Sequence, residues 1–184
     1  MAALPCLADS SGGPSPGATK VPLIFSGGHD TDPRDHGRPV DLVAGALKVP
    51  PEVFREAFTH VHPAPPGQGG PTPDEARANK RALMDALAPL GVTNDRLDEV
   101  SNRYRYRRDR GELWPAADGA GYATVSNGAV TGFVVTSPGY GYSSPPTVSL
   151  QGGPDVQAIV TLAFDPDFSK NGSIKSVVLA SPAK

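Results

Sequence analysis

Two internal duplications constrain this chain more than any single motif does. Arg38 to Glu56 aligns without gaps on Arg81 to Glu99 at an offset of 43 residues, with Arg38/Arg81, Leu47/Leu90, Val49/Val92 and Glu56/Glu99 identical. Asn127 to Pro138 aligns on Asn171 to Pro182 at an offset of 44, each copy opening on Asn-Gly and closing on Ser-Pro. Repeats of this period mark packing units, each too small to bury its apolar face alone. The first follows a helical period and the second a strand alternation, so they describe different halves of the chain.

The 184 residues suffice for one good core or two small ones. The local pattern changes near Trp114, which gives a small polar leader over 1–20, a helical subdomain over 21–114 and an antiparallel β module over 115–184. Glycine and proline, 21 of each, cluster in stretches such as Pro63 to Pro73 and withhold much of the length from any core. A formal charge of −2 supplies no general field for nucleic acid, which is not expected as a partner. No apolar run reaches the length of a membrane span. The lone Cys6 excludes an internal disulfide and a cysteine-based zinc cage. Ala3-Leu4-Pro5-Cys6-Leu7-Ala8, followed by a Ser/Gly/Pro stretch, is similar to the tail of an export signal and points to an exported protein.

Four helices are expected, as two helix-turn-helix units. The first helix, Pro39 to Leu47, puts Val40, Val43, Ala44 and Leu47 on one face, and the second, from Pro51, puts Phe54, Ala57, Phe58 and Val61 there. Thr72-Pro73-Asp74-Glu75 is a capping box with proline at the first helical position. The third helix therefore starts there, carries Leu83, Leu87 and Leu90 inward and stops at Gly91. The fourth, capped by Thr93 or Asn94, offers Leu97, Val100 and Tyr104. Each unit alone leaves an apolar stripe in water, so the two pack together about a pseudo-twofold axis. Ahead of them, Val21 to Phe25 is a strand or a plug into the core. The segment Leu90 to Leu97 resembles the Leu-Gly-Val-Thr turns of small helical segments in bacterial exported proteins, a likeness that implies no activity.

From Tyr122 the period becomes two. Asn127-Gly128 between alternating runs signals a hairpin, because both residues tolerate the positive φ of a type I′ turn. With runs at Thr147 to Leu150, Gln157 to Phe164 and Ile174 to Leu179, this half holds about five antiparallel strands, and the whole chain is α+β. Val130 to Val148, with Gly139-Tyr140-Gly141-Tyr142 and Pro146-Thr147-Val148, resembles the G-x-G-Y-x-x-x-P-T-V β repeats of bacterial surface and exported proteins and of phage tail proteins. The likeness covers about a third of the chain. It implies an extracellular structural or adhesive role, in the cell envelope or outside it, and carries no catalytic residues.

Three clusters are candidate sites. His29, Asp30, Asp32, Asp35 and His36 place two imidazoles and three carboxylates within eight positions, a set that would suit a divalent metal and would anchor a hydrolase or oxidoreductase. His60 and His62 are the remaining imidazoles that would join it. The spacing departs from a calcium-binding loop, and the alternative is that Asp32 caps a turn begun by Pro33 while the other side chains are solvated or pair with Arg34 and Arg38. Arg103-Tyr104-Arg105-Tyr106-Arg107, read as a strand, separates arginines from tyrosines and would suit an anionic glycan. Its structural alternative packs the tyrosines inward. Tyr140 and Tyr142 would stack on sugar rings or close a tight turn. No nucleophile elbow or phosphate-cradling loop accompanies them. The reading that follows is a non-enzymatic structural or binding protein with a surface glycan or protein as partner, and the rival is the metal-dependent enzyme centred on His29 to His36.

Overall fold

The computed structural model describes residues 18–62, 71–106 and 111–180. Calls for the leader before residue 18, for the centre of the Pro63 to Pro73 stretch and for Arg107 lie outside the described residues. Strand β1 (Thr19–Ser26) is followed by α1 (Val40–Leu47), α2 (Pro51–Thr59), α3 (Pro73–Leu87) and α4 (Asn94–Arg103). Strands β2 (Ala120–Ser126), β3 (Ala129–Ser137), β4 (Thr147–Leu150), β5 (Ala158–Ala163) and β6 (Ser173–Leu179) complete an α+β fold.

The helical units are built by the local chemistry their sequences carry. Thr72 accepts from the Glu75 N–H while Glu75 accepts from the Thr72 N–H, so the capping box of α3 is complete. Thr93 caps α4 through the Arg96 N–H, and Pro51 occupies the first position of α2. The turns inside the two units close in the same way. Lys48 and Gly91, aligned by the 43-residue offset, are both left-handed, with φ of 60° and 87°. The next residues, Val49 and Val92, donate back to the Ala44 and Leu87 carbonyls, the long closing bond of a Schellman turn. Both valines are buried.

Contacts between α2 and α3 and between α1 and α4 are the reciprocal pair that a pseudo-twofold packing of two such units produces. Leu42, Leu47, Phe54, Leu87, Leu97 and Val100 fill the space between them, each contributing about 1.5–3 kcal/mol by leaving water. Leu90, expected inward, is 52% exposed. Pro89 has no N–H to continue the α-helical ladder, so α3 gives way at Ala88–Leu90 to a 3₁₀ turn that swings Leu90 outward.

Val21 to Phe25 belongs to a strand. The first half of β1 pairs with β2 and its second half with β4, giving a four-stranded antiparallel sheet in the order β3-β2-β1-β4. The segment thus crosses the division at residue 114 and joins the β half. Along β1, Leu23 and Phe25 are buried and Ile24 is exposed, an alternation that an all-apolar run conceals. Asn127 and Gly128, both at positive φ, make the β2–β3 hairpin. Strands β5 and β6 form a separate antiparallel pair whose Val160 and Ile174 reach the core of the larger sheet.

Polar groups tie the halves together. Asn171 is fully buried and donates to the Leu42 carbonyl of α1 (2.6 Å) and to the Tyr104 hydroxyl after α4 (2.8 Å), while its own oxygen accepts from the Asp165 N–H (3.0 Å). Arg96 of α4 donates to the carbonyls of Ala46 and Pro166. Trp114 donates to the Gly141 carbonyl at 2.7 Å.

Candidate functional site

The loop from His29 to His36 does not close round a common centre. His29 turns toward the β half, where its ring stacks on Tyr142 with centroids 5.6 Å apart and leans on Trp114 at 6.0 Å. Its neighbour Asp30 is fastened through the backbone, the N–H donating to the Ser144 hydroxyl and the carbonyl accepting from the Ser143 hydroxyl. Asp32 caps the 3₁₀ turn Pro33–Asp35 by accepting from the Arg34 N–H, and its carboxylate is gripped by the Arg34 side chain. Those hydrogen bonds hold the Asp32 carboxyl down at about 2 and raise Arg34 in return.

Asp35 is buried, and Arg55 of α2 takes both its oxygens at 2.7 and 2.8 Å. His36 is left-handed, closes the turn and is exposed at the rim of the cleft that Asp35 and Arg55 also line. His60 ends α2, and the His62 peptide exchanges two hydrogen bonds with the Asn79 amide. Among the described residues, no three of His, Cys, Asp or Glu stand where they could hold a metal ion. The capping role of Asp32 is thus present, whereas the buried partner of Asp35 is Arg55, twenty residues on, and not Arg34 or Arg38.

The Arg103 to Arg107 strand is corrected as well. Arg103 is the last residue of α4 and Tyr104 is its C-cap, so over the described residues Arg103 to Tyr106 the alternation is not a strand. Tyr104 is buried against Asn171, and burial raises its hydroxyl pKa. Tyr106 donates to the Gly37 carbonyl and meets Trp114 edge-on. Arg103 and Arg96 both lie over the Phe168 ring, 4.5 and 4.6 Å from its centre, leaving Arg105 as the exposed cation of the described segment. The helix continues through Arg103 because its buried Leu97 and Val100 keep a helical period up to Tyr104.

Tyr140 and Tyr142 belong to a tight turn. Gly139 and Gly141 have φ of 61° and 85°, and a Cβ on either would lie within 2.4–2.7 Å of the Ala116–Ala117 segment. Tyr140 exchanges backbone bonds with Ala117. Tyr142 is 1% exposed and accepts from the Gly119 N–H, so it is a packing residue and no sugar platform.

The group that stays open is one the sequence patterns do not single out. A cleft of about 500 Å³ lies between residues 34–40 and the face of α2 that carries Glu52, Arg55, Glu56 and Thr59. Three guanidiniums approach it in different states. Arg34 is held by Asp32, and Arg55 by Asp35 and Glu52. Among the described residues Arg38 has no carboxylate partner: it makes a hydrogen bond to the Asp35 carbonyl and rests on the Phe58 ring with its central carbon 3.8 Å from the centroid. Burial lowers its pKa, with the Asp35 charge pulling the other way, and it stays cationic.

Glu56 also lines the cleft with its carboxylate in no hydrogen bond or ion pair among the described residues. Neither residue carries a linear signal, since Arg38 reads as a repeat anchor and Phe58 as core; only the fold sets them at one opening. No protein-family model matches the chain, no curated protein aligns with it, and no solved structure resembles it significantly.

Proposed function

We propose that this chain is a non-catalytic binding protein of the bacterial cell envelope or exterior, with the cleft beside α2 as its ligand site and the β sheets as scaffold. The observation that carries this reading is Arg38, seated on Phe58 with, among the described residues, a single hydrogen bond to a backbone carbonyl, while Arg34 and Arg55 are held by carboxylates. A guanidinium fixed by a ring on one face keeps its N–H edge for a ligand and loses little freedom on binding. The cleft volume of about 500 Å³ falls in the range of about 300–1,000 Å³ typical of small-molecule sites.

The enzyme alternative weighs less because Asp32 and Asp35 are already bound to arginines and His29 faces aromatic rings. The glycan alternative weighs less because Arg103 and Tyr104 are committed to Phe168 and Asn171. Saturation-transfer NMR against a library of small polar metabolites, run on wild type and Arg38→Gln, tests the site. Hits that vanish in the variant support it; hits that bind equally to both overturn it. The envelope setting rests on the Gly-x-Gly-Tyr likeness, and among the described residues no helix is long and apolar enough to cross a membrane. Fractionation of the source cells with an antibody to the chain tests that setting, and a wholly cytoplasmic pool would sink it.

A further inference from the structure

We infer that the cleft takes a small zwitterion whose carboxylate and ammonium stand at opposite ends of an apolar body, an ω-amino acid or a short peptide, with the carboxylate on Arg38 and the ammonium on Glu56. This rests on the cleft being the ligand site, and three observations narrow the class.

The first is charge. Three carboxylates (Asp35, Glu52 and Glu56) line the opening against three guanidiniums (Arg34, Arg38 and Arg55), so its formal charges balance. A phosphate or a dicarboxylate would bring two negative charges to the one unpaired guanidinium and stand against Glu56, and a plain cation would leave Arg38 unmatched. A molecule carrying one charge of each sign and no net charge meets neither penalty.

The second is which groups are free. The other two guanidiniums are held by carboxylates within 2.8 Å, and Glu52 is held by Arg55 at 2.8 Å. Arg38 and Glu56 are the lining pair of opposite sign that makes no ion pair among the described residues. Arg38 offers the planar fork that carboxylates fit.

The third is separation. Phe58, on which Arg38 rests, and Glu56 are two positions apart on α2, about 200° around the helix axis. Their side chains therefore leave α2 in different directions, with apolar Val40 and Val61 also lining the opening. This favours a ligand whose two charges are set apart over an α-amino acid, whose charges share one carbon.

The test is titration of the ¹⁵N-labelled full chain, followed by amide shifts, with glycine, γ-aminobutyrate and ε-aminocaproate, and with caproate and hexylamine as the single-charge controls. The expected result is that ε-aminocaproate binds at least tenfold tighter than either control, the factor to which about 1.4 kcal/mol corresponds, while glycine shifts nothing. Glu56→Gln, an exposed substitution, reduces ε-aminocaproate to the affinity of caproate; Arg38→Gln reduces it to that of hexylamine, and Arg38→Lys restores part of the loss. Caproate or hexylamine binding as tightly as ε-aminocaproate would overturn the zwitterion and leave the cleft as a site. Cleft amides unmoved by any of the five would overturn the zwitterion and the site together.

Discussion

Replacing Asn171 by alanine is expected to destabilise the whole chain although the residue touches no ligand. The side chain makes three hydrogen bonds, to the Leu42 carbonyl, the Tyr104 hydroxyl and the Asp165 N–H. Each contributes about 1 kcal/mol net, and a buried group left without a partner costs a further 1–3 kcal/mol or so. The Leu42 carbonyl keeps its helical partner, so the Asp165 N–H and the Tyr104 hydroxyl bear that penalty. With a small cavity added, Asn171→Ala should lose about 3–4 kcal/mol, a large share of the ~5–15 kcal/mol typical of a domain. Urea unfolding followed by Trp114 emission reads this directly, because the sole tryptophan is buried at the same junction. Tyr104→Phe should cost about 1 kcal/mol alone and close to nothing in the Asn171→Ala background. A loss below about 0.5 kcal/mol for Asn171→Ala, or strict additivity of the two changes, would refute the claim that this residue joins the halves.

Other consequences can be measured on the same samples. Lys48 holds a left-handed φ of 60° at the place where the aligned unit uses Gly91, so Lys48→Gly should raise stability by about 0.5–1 kcal/mol in the same urea assay. Gly141→Ala should cost at least ~2 kcal/mol and shift Trp114 emission to the red, because the new methyl meets Ala116 at 2.7 Å and the Pro115 carbonyl at 2.9 Å with φ at 85°. Asp32 is held at about 2 against an ordinary 3.8 by its bonds from Arg34. A depressed folded-state pKa gives stability that is present above the unfolded value and lost as pH falls through the folded one. The difference in melting temperature between wild type and Asp32→Asn should thus be flat above pH 5 or so and shrink between about pH 4 and pH 2; a difference that stays constant to pH 2 would show that the carboxylate's charge plays no part.

Features with a local cause were legible in the chain. The capping box at Thr72, the proline start of α2, the Asp32 cap and the Asn127-Gly128 hairpin each depend on residues within four positions of one another. What escaped has partners far along the sequence. The same Asn-Gly dipeptide recurs at Asn171-Gly172, yet Asn171 is buried and bonded to residues 129 and 67 positions away, and only the gathering of α1, α4 and the loop before β6 gives it that role. The Arg/Tyr alternation reads as a strand because period two is visible over five residues, but the helical period of the preceding turn is what the core enforces. The His/Asp loop reads as a metal shell because carboxylates and imidazoles crowd there. Arg34 beside it and Arg55 across from it consume the two best-placed carboxylates, and of these the second is invisible without the fold.

The cleft lies where the two helical units stop being alike, and proline placement is the cause. Arg38 and Arg81 are identical in the aligned repeat, but Pro39 stands where the second unit has Ala82. A proline disfavours the α region for the residue before it, so α1 begins at Val40 and Arg38 is left outside the helix. In the second unit the proline stands at Pro73, α3 begins there, and Arg81 is an exposed residue inside the helix. The stretch that is helix in one unit is in the other the 3₁₀ turn with Asp32, Arg34 and Asp35, anchored to α2 by Arg55. The early break leaves Arg38 outside α1, where it rests on Phe58 of α2. The asymmetry thus sets one arginine of the aligned pair, Arg38, at the cleft and leaves the other, Arg81, on the exposed side of α3.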